Sequence, residues 1–179
     1  LFTDGEEQGL IGAQAFVDSH AWNDEVGVIL NLEARGTSGP SLLFETGPDN
    51  GWLIEHFAAG CAHAVTSSLY YEAYRRLPND TDFSVFKEAG HTGLNFANIE
   101  DVRFYHTPLD SLANLDPRTV QDHGDHMLGM ARELLAAEDL AGSEGDAVYT
   151  HVFASGMMMW PTNVGLGLAL FVLVWTGLA

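Results

Sequence analysis

The 179-residue sequence predicts an α/β protein, with strands and helices alternating around a layered sheet. Three observations lead there. Residues 26–34 (VGVILNLEA) form a β-branched run of the kind buried on both faces in a parallel sheet. Apolar residues recur at helical spacing on either side of such runs. Turn signals built from Gly, Pro and Asp separate the segments. Hydrophobic residues make up 46% of the chain, which suits one folded domain with its own core.

Residues 1–3 read as the end of a buried strand, so the chain is expected to begin inside a domain. This strand feeds a helix over 9–17 through Asp4-Gly5-Glu6-Glu7, with Leu10, Ile11, Ala13, Phe16 and Val17 at helical spacing. After the 26–34 strand, a Gly-Thr-Ser-Gly-Pro turn leads to a second strand over 41–45. Asp49 is placed to cap a helix over 51–62. Another helical pattern covers 67–77 and ends at Pro78, while 94–99 and 102–105 are extended candidates. Asp116-Pro117 sets a cap and a first-turn proline in their preferred places and opens a helix that reaches about 137.

The small, acidic stretch 141–146 reads as linker, which divides the chain into a domain over 1–140, a linker over 141–160 and an apolar tail over 161–179. The last 16 residues carry no charge. As a helix they would run about 24 Å, against roughly 30 Å of bilayer hydrocarbon. Trp160, Pro161 and Asn163 just ahead suit a membrane interface, so the tail reads as the start of a transmembrane helix, with a buried core helix as the alternative.

Acidic residues outnumber Lys and Arg by 25 to 7, the formal charge is -18, and Lys87 is the only lysine. Nucleic acid is thereby excluded as a partner, because phosphate binding needs clustered cations. Cys61 is the only cysteine, so no internal disulfide can form.

Several side chains could carry chemistry. Glu6 and Glu7 are adjacent carboxylates where a strand turns into a helix, so one can hold a metal while the other faces its water; the plainer account is that acids in a first helical turn complement the dipole. Glu33 closes an apolar strand at the end where α/β proteins assemble their sites, and its charge needs a partner, which solvent or an arginine could also supply. His106, between Tyr105 and Thr107 and ahead of Asp110, can join a metal cluster or serve structurally. Arg35 can meet a substrate carboxylate or pair with an acid, and Asp80 and Asp82 can support a site or cap a turn. His123 and His126 are spaced like a metal pair but are expected on an acidic, solvent-facing side of the last helix.

Together these segments carry a resemblance. Asp4-Gly5-Glu6-Glu7 followed by Gly9-Leu10-Ile11-Gly12 resembles the acidic metal-binding turn of the co-catalytic zinc exopeptidases, the family of aminopeptidase Y, the endoplasmic-reticulum metallopeptidases and the vacuolar membrane proteases. Asn31-Leu32-Glu33-Ala34 resembles that family's next ligand strand. Asn79-Asp80-Thr81-Asp82-Phe83, and Tyr105-His106-Thr107-Pro108 with Asp110, resemble two further motifs in the same order, the match covering roughly 1–137.

The resemblance implies a three-layer α/β/α zinc-exopeptidase fold, with residues 1–140 as the C-terminal part of a catalytic domain. It implies two zinc ions per intact domain, with Glu6 as general base, Glu7 a ligand to one zinc, Glu33 a ligand to the other, and His106 the ligand that closes the site. Tyr105 is implied as donor to the developing oxyanion. The family's first histidine ligand and its bridging aspartate lie upstream of the acidic turn, so this chain alone is expected to be inactive. Peptide ends are the implied substrate, and a membrane-anchored domain outside the cytoplasm or in a lumen is the implied setting. The alternatives are a non-catalytic receptor or scaffold of the same fold, against which the retained mutually repelling carboxylates speak, and a one-zinc acyltransferase like glutaminyl cyclase.

Overall fold

In the computed structural model, which describes residues 1–140, 145–153 and 156–177, the acidic turn leads into α1 (Ile11–Ser19) and then into β1 (Ile29–Ala34). There follow β2 (Leu42–Thr46), α2 (Gly51–Gly60), β3 (Val65–Thr66), α3 (Ser68–Tyr74) and α4 (Asp82–Glu88). The remaining elements are β4 (Gly93–Asn98), α5 (Pro117–Ala136), β5 (Ala147–Val152), β6 (Gly156–Pro161) and α6 (Thr162–Gly177).

Four strands form a mixed sheet in the order β1-β4-β2-β3, with β1 parallel to β4 and β2 antiparallel to it. Strand β4 is buried along its whole length, as a central strand must be. The 26–34 run, expected to be buried on both faces, instead begins its strand at Ile29 and lies at the sheet edge, where Leu32 is 45% exposed. Helices cover both faces. Leu43, Leu94 and Phe96 pack against Leu53, Ile54 and Phe57 of α2 and Met130 of α5; Ala13 of α1 packs with Val85 and Phe86 of α4 and with Ile29 on the other face.

A bulge in β2 sets up the polar side of the sheet. Leu43 pairs with Phe96 but Glu45 pairs with Asn95, so Phe44 is an extra residue in the ladder. Strict alternation would put Leu43 and Glu45 on one face; the extra residue turns Glu45 to the α4 side, together with Asn95. Phe44 packs its ring 4.7 Å from that of Tyr74.

Some expectations are corrected. Leu1 and Phe2 are exposed and residues 1–3 form no strand. The extended candidate at 102–105 is a single 3-10 turn, Val102–Phe104. Asn50 caps α2 by position, while Asp49 sits at φ 53°. By contrast α5 starts as its sequence dictates, with the Arg118 amide donating to Asp116 Oδ1 at 2.9 Å. Of the linker placed at 141–160, residues 141–144 lie outside the described residues, and β5 and β6 form an antiparallel hairpin. Its Tyr149 is only 2% exposed within the main core. The tail is helical, but α6 has 16 residues, and no helix among the described residues is long and apolar enough to cross a membrane.

Candidate active site

The acidic turn is built before the site. Glu6 O accepts from the amides of Gly9 at 3.0 Å and Leu10 at 2.9 Å, and Gly5 O accepts from Ile11 at 3.2 Å. Because α1 starts only at Ile11, Glu6 and Glu7 belong to the turn ahead of it and not to a first helical turn. Helix-dipole complementarity therefore does not account for them. Gly12 lets α1 sit directly on this turn: a Cβ there would come within 2.5 Å of Asp4 O.

Glu33 stands at the C-terminal end of β1, and the loop carrying Tyr105 and His106 follows the C-terminal end of the parallel neighbour β4. Strand parallelism thus delivers both to one end of the sheet, the usual place for α/β sites. His106 adopts φ 56°, a left-handed conformation uncommon for a residue with a side chain. Its ring stacks on that of Tyr105 with centroids 3.8 Å apart. His106 Nε2 lies 2.5 Å from Glu7 Oε1. The Arg35 guanidinium lies 5.6 Å from the centroid of the Tyr105 ring, so it meets an aromatic face.

Asp82, from the first turn of α4, is 5% exposed. Thr3 Oγ1 donates to its Oδ2, and Oδ1 has no hydrogen-bond partner. Its neighbour Thr81 caps α4 in a capping box with Ser84. The charges accumulate: burial pushes the Glu33 carboxyl up to about 7, Asn31 opposes this by hydrogen bonding, and Glu6, Asp82 and Glu7 add to it. Burial also raises Glu6, with Glu7 and Asp82 adding to the effect and His106 opposing it. The Tyr105 hydroxyl is raised by burial and by Glu7. Glu6, Glu7, Glu33, Tyr105 and His106, separated by as many as 100 positions, therefore share one electrostatic neighbourhood.

Residues 1–131 match peptidase family M28. The chain belongs to that family. Endoplasmic reticulum metallopeptidase 1 of Mus musculus is 31% identical over 172 residues, covering 92% of this M28 chain and 19% of that protein. Putative endoplasmic reticulum metallopeptidase 1-A of Caenorhabditis elegans is 33% identical over 173 residues, with the same coverage of 92% and 19%. Vacuolar membrane protease of Candida albicans (strain WO-1) is 35% identical over 151 residues, covering 83% of this chain and 17% of that protein. The chain spans about a fifth of the length of the curated relatives it matches. No solved structure matches it.

In donor type the M28 residues fit zinc, offering carboxylate oxygen and imidazole nitrogen without thiolate. The buried, partnerless Asp82 Oδ1 and the carboxylates crowding Glu33 are the surroundings in which a cation is favoured. Among the described residues, no three His, Cys, Asp or Glu side chains are grouped so as to hold a metal ion by themselves. The Glu7–His106 contact and the crowded Glu33 carboxyl are two separate features of this end of the sheet.

Two further features differ from expectation. His126 does not face solvent: it is 2% exposed, its ring between those of Phe57 at 5.6 Å and Phe96 at 5.9 Å. His123 ties α5 to the sheet, with Nδ1 2.7 Å from Ser41 Oγ and Nε2 3.1 Å from Asn98 Oδ1. Ser41 is fully buried, so this arrangement offers no nucleophile to a substrate. The sequence reading also missed Asn31 as the hydrogen-bond partner of Glu33, and Asn95, Glu45 and Lys87 linked in turn behind Asn31. Their signal was an amide in the middle of each of two apolar strands, where a buried polar group demands a partner.

Proposed function

We propose that this chain forms part of the catalytic domain of a membrane-associated zinc exopeptidase that removes residues from peptide ends. The observation that supports this most is the meeting of Glu7 with His106 at 2.5 Å, beside Glu6 and Glu33, in a chain of family M28. In this reading Glu7 and His106 hold one zinc and Glu33 holds the other. When bound, two such ions polarise the scissile carbonyl and lower the pKa of water toward about 7.

The chain's own residues then divide the work. Glu6, raised by burial and by neighbouring acids, accepts the proton from the attacking water and passes it to the departing amine. Tyr105, whose raised pKa keeps its hydroxyl protonated, donates to the oxygen on which negative charge develops. The remaining ligands lie outside residues 1–179 in this reading, and these residues alone do not hydrolyse peptides. Helix α6 exposes Leu166, Leu168, Leu170, Phe171, Leu173 and Trp175, which cover more than one side of a helix. An apolar surface of that kind suits a lipid environment, and one relative is named for a membrane. The reading places the catalytic domain on the extracytoplasmic or lumenal side.

The test is elemental analysis of the full-length protein, paired with release of terminal residues from an unblocked peptide. Two zinc ions with release support the exopeptidase. One zinc with cyclisation of N-terminal glutamine identifies a glutaminyl cyclase instead, and a metal-free, inert protein identifies a scaffold.

A further inference from the structure

A continuous line of hydrogen bonds runs from Lys87 on α4 across three strands to Glu33. Lys87 Nζ donates to Glu45 Oε1 at 2.5 Å, and Asn95 Nδ2 donates to Glu45 Oε2 at 2.8 Å. Asn31 Nδ2 donates to Asn95 Oδ1 at 2.9 Å and to Glu33 Oε1 at 3.0 Å. Asn95 Nδ2 spends its other proton on Thr81 Oγ1 at 2.9 Å. Every link sits on one face of the sheet: Asn31 and Asn95 are register partners in the parallel pair, and the β2 bulge brings Glu45 opposite Asn95.

The polarity of this line has no freedom. Glu45 is 2% exposed and lies against a lysine, so it is an acceptor at both oxygens. Asn95 must therefore present its NH2 to Glu45, which leaves its carbonyl oxygen for Asn31. Asn31 must answer with its own NH2, whose two protons are then committed to Asn95 and to Glu33. A flip of either amide would set oxygen against oxygen inside the fold.

We propose that Asn31, locked in orientation by the Lys87–Glu45 pair through Asn95, is a positioning residue that holds Glu33 Oε1 so that the carboxylate is aimed for metal binding. The inference rests on the reading of Glu33 as a zinc ligand. It adds the device that fixes this ligand, because a carboxylate on an edge strand has many rotamers and a dedicated donor selects among them.

The test measures zinc affinity in the full-length protein by competition with a chromophoric chelator, with the melting temperature of the metal-free protein as control. Asn31→Ala is expected to weaken one zinc by about 10–100-fold while the other is held as before and the metal-free protein still melts cooperatively. Asn31→Ser, which keeps a polar group too short to bridge Asn95 and Glu33, is expected to do the same and serves if the alanine variant does not fold. Unchanged zinc affinity in a folded variant, or failure of both variants to fold, overturns the proposal and leaves Asn31 a structural residue. A native protein that binds no zinc overturns the exopeptidase reading as well, so the two failures are distinguishable.

Discussion

His106 Nε2 meets Glu7 Oε1 at 2.5 Å across 99 positions of sequence. The contact joins the turn ahead of α1 to the loop that follows the C-terminal end of β4, the end at which the parallel strand β1 also finishes. Both side chains are more than half exposed, at 56% and 58%, so the pair contributes little to folding and is free to serve a ligand.

His106→Ala separates these two roles. Removing an exposed ion pair should change unfolding free energy by no more than about 1 kcal/mol. On the proposed reading of His106 as a direct ligand, the same change should weaken zinc on the order of 100-fold or more, beyond the usual cost of an outer partner. Urea unfolding and chelator competition on the full-length protein read the two effects separately.

Lys87→Met should destabilise the fold by about 3–5 kcal/mol, because it leaves the buried Glu45 carboxylate without its cation. The corresponding change at the solvent-exposed Arg118, Arg118→Met beside Asp116, should cost far less, because water screens that pair. Parallel urea titrations compare them directly.

His126 makes stability depend on pH. Burial holds its pKa below the ordinary 6.5, a shift that Asp122 and Asp125 oppose and His63 reinforces. The unfolded chain therefore binds a proton that the folded chain refuses, so the stability this residue contributes is present above 6.5 and is lost as pH falls through the folded pKa. His123 is lowered by burial too and acts in the same direction. Unfolding free energy should fall on acidification with a slope of up to about 1.4 kcal/mol per pH unit for each histidine. His126→Phe, suited to a site between Phe57 and Phe96, should flatten that slope.

Gly12→Ala tests how the acidic turn is held. The new Cβ would stand 2.5 Å from Asp4 O and 2.6 Å from Asp4 N, both backbone atoms, so the turn bearing Glu6 and Glu7 has to shift. Turnover should drop about 100-fold, the scale expected for a displacement near 1 Å, while circular dichroism stays native.

What could be read from sequence was local. Asp116-Pro117 fixed the start of α5, and the apolar spacing of Ala13, Phe16 and Val17 placed α1, because caps and helical periodicity act over a few residues. The four site motifs were found through their likeness to a family; no spacing rule reaches from Glu7 to His106. The burial of His126 had a signal that went unused: Thr119, His123, His126 and Met130 recur at core-facing helical positions, and three of these four residues are fully buried. The bulge at Phe44 was invisible, since residues 42–46 do not say which of them lacks a ladder partner. The hairpin at Ala147–Val152 and Gly156–Pro161 falls within the stretch expected as linker, where the β-branched Val148, Thr150 and Val152 favour a strand.

The most direct test of the whole account is the turnover of Glu6→Gln in the full-length protein at a verified zinc content. Peptide hydrolysis should fall by about 10²–10⁴-fold with both zinc ions retained, because the substitution removes a proton acceptor and leaves the ligands in place. Undiminished hydrolysis, or loss of a zinc ion from the variant, would contradict the assignment of Glu6 as the base and Glu7 as the ligand.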